Sequence, residues 1–408
     1  MSRWVILAVG TLSQAATSSF TYGIPMLVPA LRSQEGLSLV QATTVVAAPT
    51  IGLLLTLVAW GALADRFGEK VVIGSGVALA AAFLAGTWLA HGVVGLALLL
   101  GAAGAGGASV NAASGRVVMG WFPVHQRGVA MGTRQTAQPL GVAIAGLALP
   151  PLAHAYGLHA ALLFPAVFCA LLAVAVVVLL ADPPRAPRLA GTPVVNPYRQ
   201  TSALWRVHAA STLLVVPQFA VSTFTLVYLV GERGWSAPAA GRLVFAFQFL
   251  GAVGRVGSGV WSDRVGSRLA PMRQLAAAAA LLMGLLALGA AAHGVWIVAV
   301  LGAASVITVA DNGLAYTSVA EIAGSSWSGR ALGIHNTAQN VIASATAPAL
   351  GAAIGGWGYA VAFGCVVLPP LVAVPLTPVS AERQGTWRRM RDLNPRGVAP
   401  NTISNRAP

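Results

Sequence analysis

Few side chains in this 408-residue chain can do chemistry, because 57% of the residues are hydrophobic and only 8% are charged. An ionisable group inside an apolar run therefore marks a place where something polar is met. Arg255, in "GAVGRVGSGVWSDR", lies eight residues before Asp263. On a helix rising about 1.5 Å per residue, that is roughly 12 Å from the helix end. A guanidinium at that depth offers a planar fork suited to a carboxylate, or it pairs structurally with a carbonyl or with Asp263. Asp311, in "TVADNGLAY", is a carboxylate deep in an apolar run; it can carry a proton or pair with a basic residue. Arg134 either lines a polar cavity or snorkels to lipid phosphates. His335 is a packed polar residue or an imidazole that takes up a proton. Asn111 and Asn312 can donate to ligand oxygens or bridge helices. Gln135, Gln138 and Gln248 are further polar candidates, and Tyr22, with Phe20 and Phe224, can supply an apolar wall. The chemistry these residues offer is non-covalent recognition of an anion, with proton exchange beside it.

Covalent chemistry has no comparable support. Cys169 and Cys365 sit singly in apolar runs, and no Ser-His-Asp constellation or metal-ligand spacing occurs. "GAAGAGGAS" at 101–109 lacks the Lys-Ser/Thr ending of a phosphate-cradling loop and reads as close helix packing. No catalysis, no cofactor and no ATP hydrolysis are expected.

The elements that must position these groups are membrane helices. So few charges cannot clothe a water-soluble surface, and a crossing helix needs about 20 apolar residues. Twelve such runs are expected, near 4–30, 39–63, 71–91, 93–119, 128–152, 158–181, 205–231, 239–262, 272–292, 294–320, 330–354 and 358–377. The first is read as a span, since no small-x-small cleavage site ends it. A Pro- and Arg-rich linker, 182–204, divides residues 1–181 from 205–377, and a basic, polar tail, 378–408, is expected to be disordered. Prolines 25, 29, 139, 217 and 348 are kink candidates. Arg32, Arg233 and Arg242 fall in outside segments and Arg255 within a helix; the rest of the 24 Lys and Arg lie in or beside segments on the side of the N-terminus. That asymmetry puts both termini in the cytoplasm. The net charge of +14 follows from this distribution, and no nucleic-acid partner is expected.

The two halves repeat. "GALADRFG" at 61–68 matches "GVWSDRVG" at 259–266, "SSFT" at 18–21 matches "STFT" at 222–225, and "GTRQTAQ" at 132–138 matches "GIHNTAQ" at 333–339. Asn111 falls opposite Asn312, Arg134 opposite His335 and Leu57 opposite Arg255. A same-direction repeat of six helices implies two bundles related by an axis along the membrane normal.

Gly61, Asp65, Arg66, Gly68 and Lys70 resemble the loop motif between the second and third helices of the major facilitator superfamily. Gly259, Asp263, Arg264, Gly266 and Arg268 resemble its degenerate copy between helices eight and nine; Glu69 departs from the pattern, where a basic residue is usual. The resemblance implies an all-α membrane protein of twelve transmembrane helices in two pseudo-symmetric bundles, working by alternating access. It also implies that these loops latch the cytoplasmic ends of the bundles together. Arg255 followed by Gly259 is similar to the monocarboxylate-transporter branch, in which that arginine holds the substrate carboxylate. Gly251 stands where that branch has an acidic residue, and its helix-one signature is missing. The expectation is a monomeric permease of the cytoplasmic membrane for a small organic anion, coupled to protons through Asp311 or His335. The alternatives are a proton-driven exporter of hydrophobic compounds and a non-transporting membrane sensor.

Overall fold

The computed structural model describes residues 2–183 and 196–383. Most of the linker and nearly all of the tail, with Arg185, Arg188 and the arginines from 388 onward, lie outside the described residues. The first half runs α1 (Arg3–Thr21), α2 (Val28–Gln34), α3 (Leu39–Phe67), α4 (Glu69–Gly86), α5 (Gly92–Trp121), α6 (Arg127–Gln135), α7 (Ala137–Tyr156) and α8 (Leu158–Leu179). After a short α9 (Pro197–Gln200) come α10 (Ala203–Gly231), α11 (Ala237–Val265), α12 (Leu269–Ala291), α13 (Ile297–Ala310), α14 (Asn312–Ala323), α15 (Ser328–Cys365), α16 (Leu368–Leu376) and α17 (Val379–Arg383).

Among the described residues, ten helices are long and apolar enough to cross a membrane. The last of these contains Gly358 at φ 77°, ψ 171°. Gly157 holds nearly the same conformation, φ 93°, ψ 167°, where α7 gives way to α8. Gly358 thus divides α15 into two passes at the position that repeats Gly157. The α1–α2 segment, broken at Gly23 and Pro25, supplies the remaining pass. The architecture is consistent with the expected twelve crossings.

Each half has its own apolar core. One cluster joins α1, α3, α4, α5 and α8 through Phe20, Val45, Val77, Val110 and Leu162. A second gathers Tyr228, Met283, Leu301 and Phe363 from α10, α12, α13 and α15. A third crosses between the halves, with Val118, Phe122 and Met131 packed against Leu204, Leu314 and Leu332. Glycines set the closest approaches. A Cβ at Gly104 would collide with the Pro49 carbonyl and one at Gly106 with the Gly76 carbonyl, so "GAAGAGGAS" is a packing surface.

Helix ends at the loop-motif end are closed by carboxylates. Asp182 Oδ1 accepts from the Glu69 and Lys70 N–H groups, 2.8 Å each, and so caps α4. Glu382 accepts from the Arg268 and Leu269 N–H groups, at 2.6 and 3.2 Å, and caps α12 in the same way. This corrects the expectation for the tail: its first residues form α17, and Glu382 belongs to the second bundle.

A φ near +80° with ψ near 170° is essentially reserved for glycine and costs other residues about 1–3 kcal/mol. Gly157→Val and Gly358→Val are each expected to lower the melting temperature of the purified protein, whereas Gly355→Ala, on an open helix face, should leave it nearly unchanged.

Candidate functional site

Two carboxylates hold the bundles together at the loop-motif end. Asp65, in the last turn of α3, accepts from the N–H groups of Gly329 (2.9 Å) and Arg330 (3.2 Å), the first turn of α15 in the other half. Asp263, in the last turn of α11, accepts from Gly128 (2.9 Å) and Val129 (2.8 Å), the first turn of α6. A helix N-terminus presents unpaired N–H groups and a partial positive charge, so a carboxylate is its natural cap. Here each cap comes from the opposite bundle. Glycines permit the approach: a Cβ at Gly61 would meet the Gly329 carbonyl, and one at Gly259 the Gly128 carbonyl.

The charges around these caps differ between the copies. Arg116 on α5 ion-pairs with Asp65 and, at 2.6 Å, with the fully buried Glu69. Glu69, the departure from the family pattern, is therefore answered by an arginine that sequence reasoning counted only as a cytoplasmic flank. Arg268 donates to Asp263 (2.6 Å) and to the Val124 carbonyl across the interface. Arg127 reaches Glu321, 3.3 Å away in the other half. Arg66 and Arg264 are exposed and form no part of this lock, and Lys70 contributes only its backbone N–H. Gly68 and Gly266 take positive φ at the turns.

Away from the lock the bundles diverge. The α6 half of the fifth pass packs on α11 and α14, whereas α7, its continuation, packs mainly on α1 and α8 of its own bundle. Between the halves lies a polar cavity of about 510 Å³, its open mouth included. It is lined from both halves by amides in repeat-related pairs: Gln14 with Gln218, Asn111 with Asn312, Gln135 with Asn336, and Gln138 with Gln339. Internal bonds repeat too. Gln14 donates to Asn111 at 3.2 Å, and Asn312 donates to Gln218 at 2.9 Å.

Four polar lining residues break this symmetry: Arg255, Tyr316, Tyr22 and Asn340. Arg255 Nη1 donates to the Gln135 carbonyl. That carbonyl lacks a helical partner because residue 139 is proline and has no N–H. Among the described residues this is the only hydrogen bond of the Arg255 guanidinium, and the side chain lines the cavity. Tyr22 Oη donates to Asn340 Oδ1 at 2.9 Å, bridging the two halves. Tyr316 Oη lies against Asn336 Oδ1 and, at 2.9 Å, Gln339 Oε1, and its one hydrogen serves one of the two.

The structure brings six expected residues to this cavity: Arg255, Asn111, Asn312, Gln135, Gln138 and Tyr22. Others lie elsewhere. Arg134 is 1% exposed and neither lines the cavity nor snorkels. Its guanidinium donates to Ser114 Oγ (2.7 Å), Gln135 Oε1 (2.7 Å) and the Asn111 carbonyl (3.1 Å), and sits over the Tyr316 ring at 5.3 Å. It positions lining residues from behind. Gln248 is exposed and borders a separate small hollow with Phe247 and Ser222. Asp311 is buried at the break between α13 and α14, and its Oδ2 has no hydrogen-bond partner among the described residues. His335 is buried behind the cavity in a chain: Tyr198 Oη lies 2.9 Å from His208 Nε2, His208 Nδ1 lies 2.9 Å from His335 Nδ1, and His335 Nε2 lies 3.4 Å from Ser211 Oγ.

Gln14, Gln218, Tyr316, Asn336, Gln339 and Asn340 were missed. Repeat alignment carried the signal for the amides, since Gln14 and Gln218 share the spacing of "SSFT" and "STFT", and Asn336 and Gln339 lie within "GIHNTAQ".

The sequence profile described as Major Facilitator Superfamily matches residues 9–348. An uncharacterised MFS-type transporter of Mycobacterium tuberculosis is 46% identical over 394 residues, covering 96% of this chain and 88% of the relative. A galacturonate transporter of Dickeya chrysanthemi is 30% identical over 150 residues, 37% of this chain and 42% of that protein. The fold is similar to the Escherichia coli fucose:proton symporter, with a TM-score of 0.71 at 15% identity, covering 92% of this chain and 98% of that one.

A charge-assisted contact to backbone amides contributes about 1.5–3 kcal/mol, and each 1.4 kcal/mol is about tenfold in an equilibrium. Spin labels at the exposed positions Arg66 and Arg264, one in each bundle, report the separation of the locked ends. In a background free of native cysteines, Asp65→Asn with Asp263→Asn is expected to add a longer-distance population that the parent lacks. An unchanged distance distribution would remove the locking role.

Proposed function

We propose that this chain, which belongs to the Major Facilitator Superfamily and is a multi-pass membrane transporter of a small molecule, moves a hydroxylated organic anion such as a sugar acid across the cytoplasmic membrane. One observation carries the reading: a single guanidinium, Arg255, lines a cavity whose other polar lining groups are amides and tyrosine hydroxyls, with Val215, Phe219 and Ala343 completing the wall. Amides donate and accept, as hydroxyl groups require, and the fork of Arg255 matches a carboxylate. The names of the partial relatives, a galacturonate transporter and the hexuronate transporters of Bacillus subtilis and Escherichia coli, describe molecules with both features. With the N-terminus in the cytoplasm, as the basic residues direct, the locked end faces the cytoplasm and this conformation opens outward. Substrate enters from outside, engages Arg255 and amides of both halves, and draws the α7 side of the first bundle toward the second. Closure there sets the Asp65 and Asp263 caps free to part.

Uptake of radiolabelled galacturonate into proteoliposomes tests this. Arg255→Gln is expected to reduce saturable uptake by at least tenfold, the scale of a lost charge-assisted contact, with Arg255→Lys retaining a remnant. If dyes are extruded and Arg255→Gln is silent, the chain is an exporter of apolar compounds.

Proton coupling is assigned to Asp311. Its buried Oδ2, with no hydrogen-bond partner among the described residues, supports the reading. Asp311→Asn is expected to abolish accumulation driven by a pH gradient while sparing exchange of labelled for unlabelled substrate. Loss of both together, in protein that melts normally, would count against coupling at this residue.

A further inference from the structure

At the end of the first bundle opposite the lock, three connections converge on one point. Glu35 follows α2, His91 precedes α5, and His159 lies in the first turn of α8. One ligand atom from each lies within 4.8 Å of the others. His159 Nδ1 is 2.9 Å from the Thr87 carbonyl, which can only accept, so Nδ1 carries the hydrogen. In a neutral imidazole, Nε2 is then a bare lone pair. It points at Glu35 Oε1, 3.0 Å away, and two lone pairs at that distance require a positive centre. The same Oε1 is 3.6 Å from His91 Nδ1. The other oxygen, Oε2, is taken by the Gly92 N–H at 3.2 Å. One carboxylate oxygen is therefore the focus of two imidazoles.

A proton on His159 would answer one of these contacts; a metal ion uses both. Nitrogen and oxygen ligands each about 2.0–2.2 Å from a tetrahedral ion sit roughly 3.3–3.5 Å apart, within the spread of the observed separations. The Nδ1–H donation to a backbone carbonyl is the outer contact that fixes a metal-binding histidine in its ligating tautomer. Two imidazoles with one carboxylate suit zinc and its neighbours, whereas Mg²⁺ and Ca²⁺ prefer all-oxygen shells. We propose that Glu35, His91 and His159 bind a divalent transition-metal ion, Zn²⁺ fitting best, which clamps three connections of the first bundle. All three ligands belong to one bundle, so the ion stabilises that bundle and is independent of the substrate assignment.

Untagged purified protein is heated with and without ZnCl₂, and titrated separately with CoCl₂. The expected result is a rise in melting temperature with Zn²⁺, none with Mg²⁺, and a visible Co²⁺ ligand-field band. His91→Ala should abolish both signals without unfolding the protein, because that side chain is 72% exposed. Glu35→Gln provides a second loss variant, and His154→Ala, an exposed histidine outside the cluster, should retain both. No Zn²⁺ shift in the parent protein, or an undiminished shift in His91→Ala, overturns the proposal.

Discussion

Two aspartates complete helices that are not their own, and the arrangement of the molecule depends on that exchange. The first turns of α6 and α15 offer N–H groups that lipid cannot satisfy. Their partners, Asp263 and Asp65, stand at the ends of α11 and α3 in the opposite bundle. Each half thus lacks a protein cap on one helix until the other half closes on it. Distance rules the rest: a carboxylate reaches the amides only if the helices nearly touch, which is why glycine stands on both sides of each contact. Arg116 and Arg268 pair with the carboxylates and aim them.

Pinning the halves at one end creates the cavity at the other. The fifth pass shows how. It is interrupted at Thr136, so α6 follows the second bundle while α7 stays with the first. The residue that helps interrupt it, Pro139, strands the Gln135 carbonyl, and Arg255 caps that carbonyl from α11. The deepest charge in the cavity is therefore held in place by the same defect that opens the space around it. Pro139 also occupies the position that repeats Asn340, so the halves lose their symmetry at the cavity. Duplication supplies four amide pairs with no preferred direction; Arg255 in place of Leu57, and Tyr316 in place of Gly115, give the cavity polarity.

Membrane class, crossings, repeat and loop motif were legible in the sequence because each is a local or periodic property. Arg255 and the Asn111–Asn312 pair were legible for a related reason: a polar group inside an apolar run has few places to go. Gln248 satisfies the same test and faces outward instead. Arg134 satisfies it too, yet Ser114, Gln135 and the Asn111 carbonyl absorb its donors. Depth along a helix follows from counting residues, but the direction a side chain faces depends on which helix lies against it.

The sequence by itself determined that this chain lives in a bilayer as two like halves, because hydropathy and repetition need no knowledge of neighbours. Only the tertiary structure decided that Asp65 caps Gly329, that Glu69 is paired with Arg116, and that Arg255 rather than Arg134 lines the cavity. Those outcomes rest on contacts between residues from about 50 to over 250 positions apart, and in a low-dielectric interior the identity of the nearest polar partner settles what each charge can do.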